Sequence, residues 1–92
     1  MKRTRAHVVI SGKVQGVFFR AETQRAALAR GVEGWVKNRP DGAVEAVFEG
    51  PEETVVAMLE WCKTGSPRSR VDKIDVAWDA DRREFAGFEI VY

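Results

Sequence analysis

A short segment that combines a glycine with a terminal arginine is the first place where this sequence could do chemistry. Residues 15–20 read Gln-Gly-Val-Phe-Phe-Arg and lie between an alternating apolar segment and a run of helix-forming residues. The first turn of a helix has unpaired N–H groups and a partial positive charge. A loop that curls just before it can point several N–H groups at an anion, and Gly16 permits the positive φ that such a curl needs. The pattern predicts an anion-binding loop, but a purely structural turn has the same pattern.

Arg20 favours the anion-binding interpretation. A cation at a helix N-terminus opposes the helix dipole and costs roughly 0.3–1 kcal/mol. Sequences tend to break such local rules where function requires it. A guanidinium beside a ring of N–H donors suits a phosphate, because it can donate two hydrogen bonds to the phosphate oxygens. The alternative is a surface arginine that pairs with Glu22 or Glu53.

Asn38 is the second candidate, at the end of a predicted strand. It has the same parity as Gly34 and Val36, so its side chain should lie on the apolar side of the sheet, where an amide needs a partner. Because an amide both donates and accepts, it can hold a water molecule in one orientation. The alternative is a strand-end asparagine that bonds the Arg39–Gly42 turn.

Other reactive residue types are poorly placed. The sole histidine, His7, is predicted at the far end of the first strand, more than ~20 Å from the loop at ~3.3 Å per residue. The sole cysteine, Cys62, falls on the apolar stripe of a helix and should be a buried small hydrophobe. With one cysteine and one histidine, and with scattered acids, no metal-ligand spacing is present. We therefore expect neither a metal nor a cofactor.

The elements that must position these residues follow from periodicity and turn signals. Two amphipathic helices and five strands are predicted, in the order β-α-β-β-α-β plus a short C-terminal strand. Helices are predicted at 20–30 and after Pro51, and strands at 6–14, 32–39, 43–49, about 71–78 and around 88–92. Since each helix has one apolar stripe, both should cover one face of one sheet. Right-handed crossovers then favour a ferredoxin-like α+β sandwich with a mainly antiparallel sheet. Residues 1–92 should form one domain.

Composition limits the partners. The formal net charge of +1 argues against a dedicated nucleic-acid binder. The longest apolar run, 55–59, is far shorter than the ~20 residues of a membrane span. The basic residues at the start of the chain lead into an apolar segment that is too short for a signal peptide and soon becomes polar. We expect a cytoplasmic monomer that acts on a small molecule, without nucleic acid or membrane as a partner.

Two segments resemble the signatures of the acylphosphatases. One is 12–20, Gly-Lys-Val-Gln-Gly-Val-Phe-Phe-Arg, and the other is 34–44, Gly-Trp-Val-Lys-Asn-Arg-Pro-Asp-Gly-Ala-Val, continued to Gly50. The Gly-Ser-Pro turn at 65–67 and the ending 88–92 are also similar. The resemblance covers nearly the whole chain. It implies a ferredoxin-like enzyme that hydrolyses an acyl phosphate to a carboxylate and inorganic phosphate.

The resemblance also implies roles for particular residues. Arg20 matches the phosphate-binding arginine, and Asn38 matches the asparagine that positions the attacking water. The backbone amides that hold the phosphoryl oxygens match Gln15, Gly16, Val17, Phe18 and Phe19. An acyl phosphate has a good leaving group, so its hydrolysis requires positioning and charge stabilisation more than proton transfer. A non-catalytic module that binds RNA or a small anion remains the alternative, as does a secondary role for the sheet edge in protein interaction.

Overall fold

The computed structural model describes residues 2–92; Met1, with which the predicted domain begins, lies outside them. Five strands and two helices alternate in the predicted order. They are β1 (Arg3–Lys13), α1 (Phe19–Arg30), β2 (Glu33–Asn38), β3 (Val44–Pro51), α2 (Glu52–Thr64), β4 (Arg70–Asp79) and β5 (Phe88–Ile90). Most predicted boundaries agree within one or two residues. The largest difference is at β1, whose basic first residues pair with β3 instead of preceding the strand.

The strands form one sheet in the order β4-β1-β3-β2-β5. The β1–β3, β1–β4 and β2–β3 pairs are antiparallel, and β5 joins the far edge parallel to β2. This is the ferredoxin-like arrangement with an extra C-terminal strand, so the predicted fold class is confirmed. The sheet is mainly antiparallel, as expected, and only its last pairing is parallel.

The core lies between the sheet and the two helices. Alternation along β1 sends Ala6, Val8 and Ile10 to the helix side, where all three are fully buried. In α2 the predicted stripe is confirmed, since Met58 and Cys62 are also fully buried. Burying one such large aliphatic side chain contributes roughly 1.5–3 kcal/mol, so this stripe fixes how the helix docks.

The helix-side face of β4 is less covered than its pattern suggests. Val76 and Trp78 alternate along β4 and share one face of the sheet, yet 38% and 53% of their surfaces remain exposed. They lie opposite Val8 and Ala6 of β1, on the outermost strand of the sheet. Two helices cannot cover the full width of five strands, so the edge strand keeps apolar side chains at the surface. No helix within residues 2–92 is long and apolar enough to span a membrane.

The register of the sheet brings the end of β1 close to the end of β2. Ile10 of β1 pairs with Val44 of β3, and Val44 pairs with Asn38 of β2. With about 4.8 Å between neighbouring strands, Asn38 lies about 10 Å from Ile10 across the sheet. The chain leaves β1 at Lys13 and enters α1 at Phe19 at this same end. Three elements therefore meet where the predicted site residues are.

Candidate active site

The loop between β1 and α1 curls through two left-handed residues. Gly16 has φ 72°, as its sequence context predicts, and Phe18 has φ 60° and ψ 24°. A residue with a Cβ pays roughly 1–2 kcal/mol for this conformation. Strained residues of this kind concentrate at functional sites. Nothing in the sequence identifies Phe18 as the strained position, because phenylalanine does not favour positive φ.

The loop amides are free of internal partners. In the described part of the chain, no side chain caps the N-terminus of α1. The first amide of this helix with a backbone acceptor is that of Glu22, which donates to the Phe18 carbonyl at 3.0 Å. Within residues 2–92, the amides of Gln15 to Phe18 donate no hydrogen bond. These donors, with the positive end of the helix dipole, form a site that attracts anions.

Two long-range hydrogen bonds hold the loop in place. The Gln15 side-chain amide donates to the carbonyls of Arg39 and Ala43, at 2.8 and 2.9 Å, and so ties the loop to the β2–β3 turn. On the other side, the Ser66 hydroxyl donates to the Val17 carbonyl at 2.9 Å. The sequence gives no signal for either contact, since both partners are distant along the chain.

Arg20 is the second residue of α1 and makes none of the ion pairs predicted as its alternative role. Glu22 pairs with Arg25 instead, at 3.5 Å, and no carboxylate in the described part of the chain pairs with Arg20. The guanidinium carbon lies 5.1 Å from the centroid of the Tyr92 ring. A guanidinium that rests on an aromatic face keeps its N–H donors available at its edge.

Asn38 lies on the helix side of the sheet, as its parity predicts. Its Oδ1 atom is buried and has no hydrogen-bond partner within residues 2–92. The turn that follows is closed without it, because the Arg39 amide donates to the Ala43 carbonyl at 2.8 Å. In that turn, the Ala43 amide and then the Arg39 guanidinium hold the pKa of Asp41 below its usual range. Leaving a buried polar atom unpaired costs about 1–3 kcal/mol, which a water or a substrate at this place would offset.

These groups surround one cavity of about 350 Å³. Its lining residues are Val14, Gly16, Phe18, Phe19, Arg20, Ala21, Asn38, Ile90 and Tyr92. Two predicted site residues do not line it: Val17 turns its side chain into the core, and Gln15 turns its amide to the β2–β3 turn. Sequence reasoning missed Ile90 and Tyr92, because they reach the cavity only through the parallel pairing of β5 with β2.

The two rejected candidates lie away from this cavity. His7 is in the middle of β1, not at its far end as predicted, since the strand starts at Arg3. Its imidazole contacts Glu45 at 2.6 Å, and neither residue lines the cavity. Cys62 is fully buried, and burial raises the pKa of its thiol to about 12, so the thiolate is not populated near neutral pH. In residues 2–92, no group of three or more His, Cys, Asp or Glu side chains is arranged to hold a metal ion.

A ferredoxin-like sandwich with an uncapped helix N-terminus beside one cavity defines the general class of this protein, a small α+β domain. Comparison with known proteins resolves the class further. The acylphosphatase family model matches residues 6–90. An acylphosphatase of Pelotomaculum thermopropionicum is 53% identical over 92 residues, which is 100% of both chains. One of Natronomonas pharaonis is 56% identical over 88 residues, 96% of this chain and 95% of that protein.

Solved structures agree with the sequence relatives. The crystal structure of acylphosphatase from Bacillus subtilis superimposes with a TM-score of 0.94 at 42% identity, covering 97% of this chain and 99% of that one. The chain therefore belongs to the acylphosphatase family and is an enzyme that hydrolyses acyl phosphates. The resemblance found in the two sequence segments is confirmed, and the non-catalytic binding module is set aside.

Proposed function

We propose that the reaction takes place in the cavity at the start of α1, without a metal ion. The amides of the segment 15–19 hold the phosphoryl oxygens, together with the Arg20 guanidinium. The observation that carries this proposal is the meeting at one cavity of three groups that have no partner within residues 2–92: the N-terminus of α1 without a side-chain cap, the Arg20 guanidinium without a carboxylate and the buried Asn38 Oδ1. Each of them suits a bound dianion with its water.

The electrostatic part of the mechanism falls to the loop and to Arg20. As the bond to the acyl group breaks, negative charge builds on the equatorial phosphoryl oxygens and on the leaving carboxylate. Fixed N–H donors and a guanidinium stabilise that charge without reorganising. They supply the positive potential that a metal ion provides in other phosphohydrolases.

Asn38 directs the nucleophile. Its side-chain amide holds a water molecule in line with the scissile P–O bond, and the water oxygen forms the new bond to phosphorus. The bond between phosphorus and the acyl oxygen breaks, and its electron pair leaves with the carboxylate. The water proton passes to an oxygen of the substrate's own phosphate, so the products are a carboxylate and inorganic phosphate. No side chain is required as a general base in this scheme.

The rim of the cavity sets the choice of a test substrate. Phe18 is 77% exposed and Tyr92 is 97% exposed, and both line the cavity beside Ile90. These side chains offer an apolar surface to the acyl group while the loop holds the phosphate. A simple aromatic acyl phosphate is therefore a suitable substrate.

The mechanism is tested by hydrolysis of that substrate in water enriched in oxygen-18, with and without a chelator. The expected result is equal turnover in both samples, with the label in inorganic phosphate and not in the carboxylate. Label in the carboxylate would show attack at carbon and would remove the proposed role of the loop. Loss of turnover with the chelator would show that a metal ion takes part.

We further propose that residues 1–92 act as a single-domain monomer in the cytoplasm, on a small-molecule substrate and without nucleic acid. One sheet with one continuous core and a net charge of +1 supports this proposal. Sedimentation should give a monomer mass, and urea unfolding should show one cooperative transition. A concentration-dependent mass or RNA retention in a low-salt filter assay would contradict it.

A further inference from the structure

Ser66 lies outside the cavity but touches the loop that forms it. The residue follows α2 and is only 2% exposed, and its hydroxyl donates to the carbonyl of Val17, itself 7% exposed. The two residues are separated by 49 positions in the chain. A buried hydroxyl that reaches so far along the sequence to one loop carbonyl fixes the orientation of that peptide unit.

The geometry of the peptide bond links this contact to the anion site. In a trans peptide the C=O and N–H groups of one unit point in opposite directions, and the described residues contain no cis peptide. With the Val17 carbonyl directed at Ser66, the Phe18 N–H points away from Ser66. Phe18 lines the cavity, whereas the Val17 side chain is buried in the core. Because Phe18 lines the cavity, its N–H, directed away from Ser66, is the loop donor nearest to hand for an anion there.

The following peptide units are fixed by the helix itself. The Phe18 carbonyl accepts the Glu22 amide at 3.0 Å, and the Phe19 carbonyl accepts the Thr23 hydroxyl at 2.7 Å. These bonds align both peptide units with the helix axis, so the N–H groups of Phe19 and Arg20 point outward from the N-terminal end of α1. The peptide between Val17 and Phe18 precedes the helix, so Ser66 provides the hydrogen bond that orients it.

Ser66 is itself held rigidly. The Ser69 amide and hydroxyl both donate to the Ser66 carbonyl, at 3.0 and 2.7 Å. Gly65 packs so closely under the Phe19 ring that a Cβ there would lie 2.7 Å from it. The turn after α2 is therefore a fixed support for the start of α1.

The loop needs this support because it is strained. Phe18 occupies a left-handed conformation that residues with a Cβ seldom adopt, and Gly16, two residues before it, is the residue type with the widest choice of φ and ψ. Without the bond to Ser66, the peptide unit between Val17 and Phe18 can turn and release the strain. Its N–H would then no longer face the cavity.

We propose that Ser66 is a positioning residue for hydrolysis, which aims the Phe18 amide at the phosphoryl group by holding the Val17 carbonyl. This inference rests on the proposed function of the loop 15–19. It adds the residue that keeps the loop in its competent conformation. Ser66 itself does not touch the substrate.

The test compares Ser66→Ala with a matched control, Thr54→Val. Thr54 also donates its hydroxyl to a backbone carbonyl, that of Pro51 at 2.7 Å. Pro51 pairs with Arg3, at the end of the sheet opposite the loop. Both variants lose one hydroxyl–carbonyl bond, and urea unfolding measures the cost to stability in each. Ser66→Cys, which keeps a weaker donor, is the second variant and should give intermediate values.

Three readouts separate positioning from simple structural support: kcat/KM, the affinity for inorganic phosphate, and the amide NMR shifts of Phe18 and Phe19 during a phosphate titration. Loss of one oxyanion donor costs about 10²–10³-fold. Loss of its positioning should therefore lower kcat/KM by roughly 10–50-fold and weaken phosphate binding by roughly 10-fold. The Phe18 shift change should shrink in Ser66→Ala, and Thr54→Val should change none of the three readouts by more than about twofold.

The outcomes distinguish this inference from the function on which it rests. If phosphate fails to shift the Phe18 and Phe19 amides in the unaltered protein, the loop is not the phosphate site. If it shifts them there and equally in Ser66→Ala, with kcat/KM within about twofold, the positioning role is wrong and Ser66 only adds stability. A large loss in Ser66→Ala with normal behaviour of Thr54→Val supports the proposal.

Discussion

The two helices begin in different ways. At the start of α2, the Glu52 amide donates to the Lys2 carbonyl at 2.9 Å, and Glu52 and Glu53 place negative charge in the first turn. At the start of α1, the N-cap residue Phe18 is left-handed, and the cation Arg20 precedes the one first-turn acid, Glu22. The α2 terminus has only favourable charges in its first turn, whereas the α1 terminus has a strained N-cap residue and a cation that opposes the helix dipole.

The difference shows where this fold gives up stability for binding. Within residues 2–92, neither helix N-terminus has a side-chain cap, so the cap does not distinguish them. The left-handed phenylalanine, at roughly 1–2 kcal/mol, and the opposing cation, at roughly 0.3–1 kcal/mol, occur only at α1, around one cavity. If α1 is the phosphate site, changes there should alter activity strongly and leave stability equal or higher. Changes at α2 should do the reverse.

Replacing Arg20 should produce the largest effect. Arg20→Gln removes the guanidinium but keeps a side chain of similar length, and kcat/KM for an aromatic acyl phosphate should fall by at least ~10²-fold. The free energy of unfolding should stay the same or rise by about 0.3–1 kcal/mol, because a cation leaves the positive end of the dipole. The control is Arg25→Gln on the same helix, which should keep full activity. An Arg20→Gln enzyme with normal turnover would remove this arginine from the mechanism.

The next effect is expected at Asn38. Asn38→Ala should lower kcat by about 10–10²-fold and change KM little, because the positioned water is needed only for the chemical step. The free energy of unfolding should not fall, since within residues 2–92 the buried Oδ1 atom has no hydrogen-bond partner to lose. Lys37→Gln, on the opposite face of the same strand, is the matched control. A KM increase with unchanged kcat would show instead that Asn38 binds substrate.

Relief of strain at Phe18 should have a smaller effect. Phe18→Gly should gain roughly 0.5–1 kcal/mol of stability over Phe18→Ala, since the left-handed cost of about 1–2 kcal/mol exceeds the entropic cost of glycine. The same comparison should show a several-fold lower kcat/KM for the glycine variant, because its loop is less preorganised. Both variants lack the ring, so the difference reports the backbone alone. Equal stability of the two would contradict the assigned strain.

The smallest effect is expected at α2. Glu53→Gln should destabilise the protein by about 0.3–1 kcal/mol through the lost dipole interaction. Its kcat/KM should equal that of the unaltered enzyme, because Glu53 lies at the other helix terminus. Chemical denaturation and steady-state kinetics measure both quantities. A kinetic defect in this variant would undermine the functional contrast between the two termini.

The fold could be predicted from the sequence because its signals are local and mutually consistent. The alternation of Val8 and Ile10, the stripe through Met58 and Cys62 and the helix-ending Gly31 each predict an element that the structure contains. The exposure of Trp78 could not be predicted in this way. It depends on which strand becomes the sheet edge and how far two helices reach across the sheet.

The candidate site was only partly visible in the sequence. Arg20 stands out because a cation at a helix N-terminus is unfavourable. Asn38 stands out because its position in the strand places an amide on an apolar face. Tyr92 and Ser66 give no such signal, since their positions depend on strand pairing and on a turn far along the chain. The left-handed Phe18 was also hidden, because the surrounding structure imposes that conformation against the preference of the residue.

The most direct test of the central claim is a crystal structure with inorganic phosphate bound. Phosphate is expected at the start of α1, with the amides of Phe18 and Phe19 about 2.7–3.1 Å from its oxygens and the Arg20 guanidinium making two hydrogen bonds to it. A phosphate held elsewhere, or held by Arg20 while the loop amides point away from it, would contradict the account.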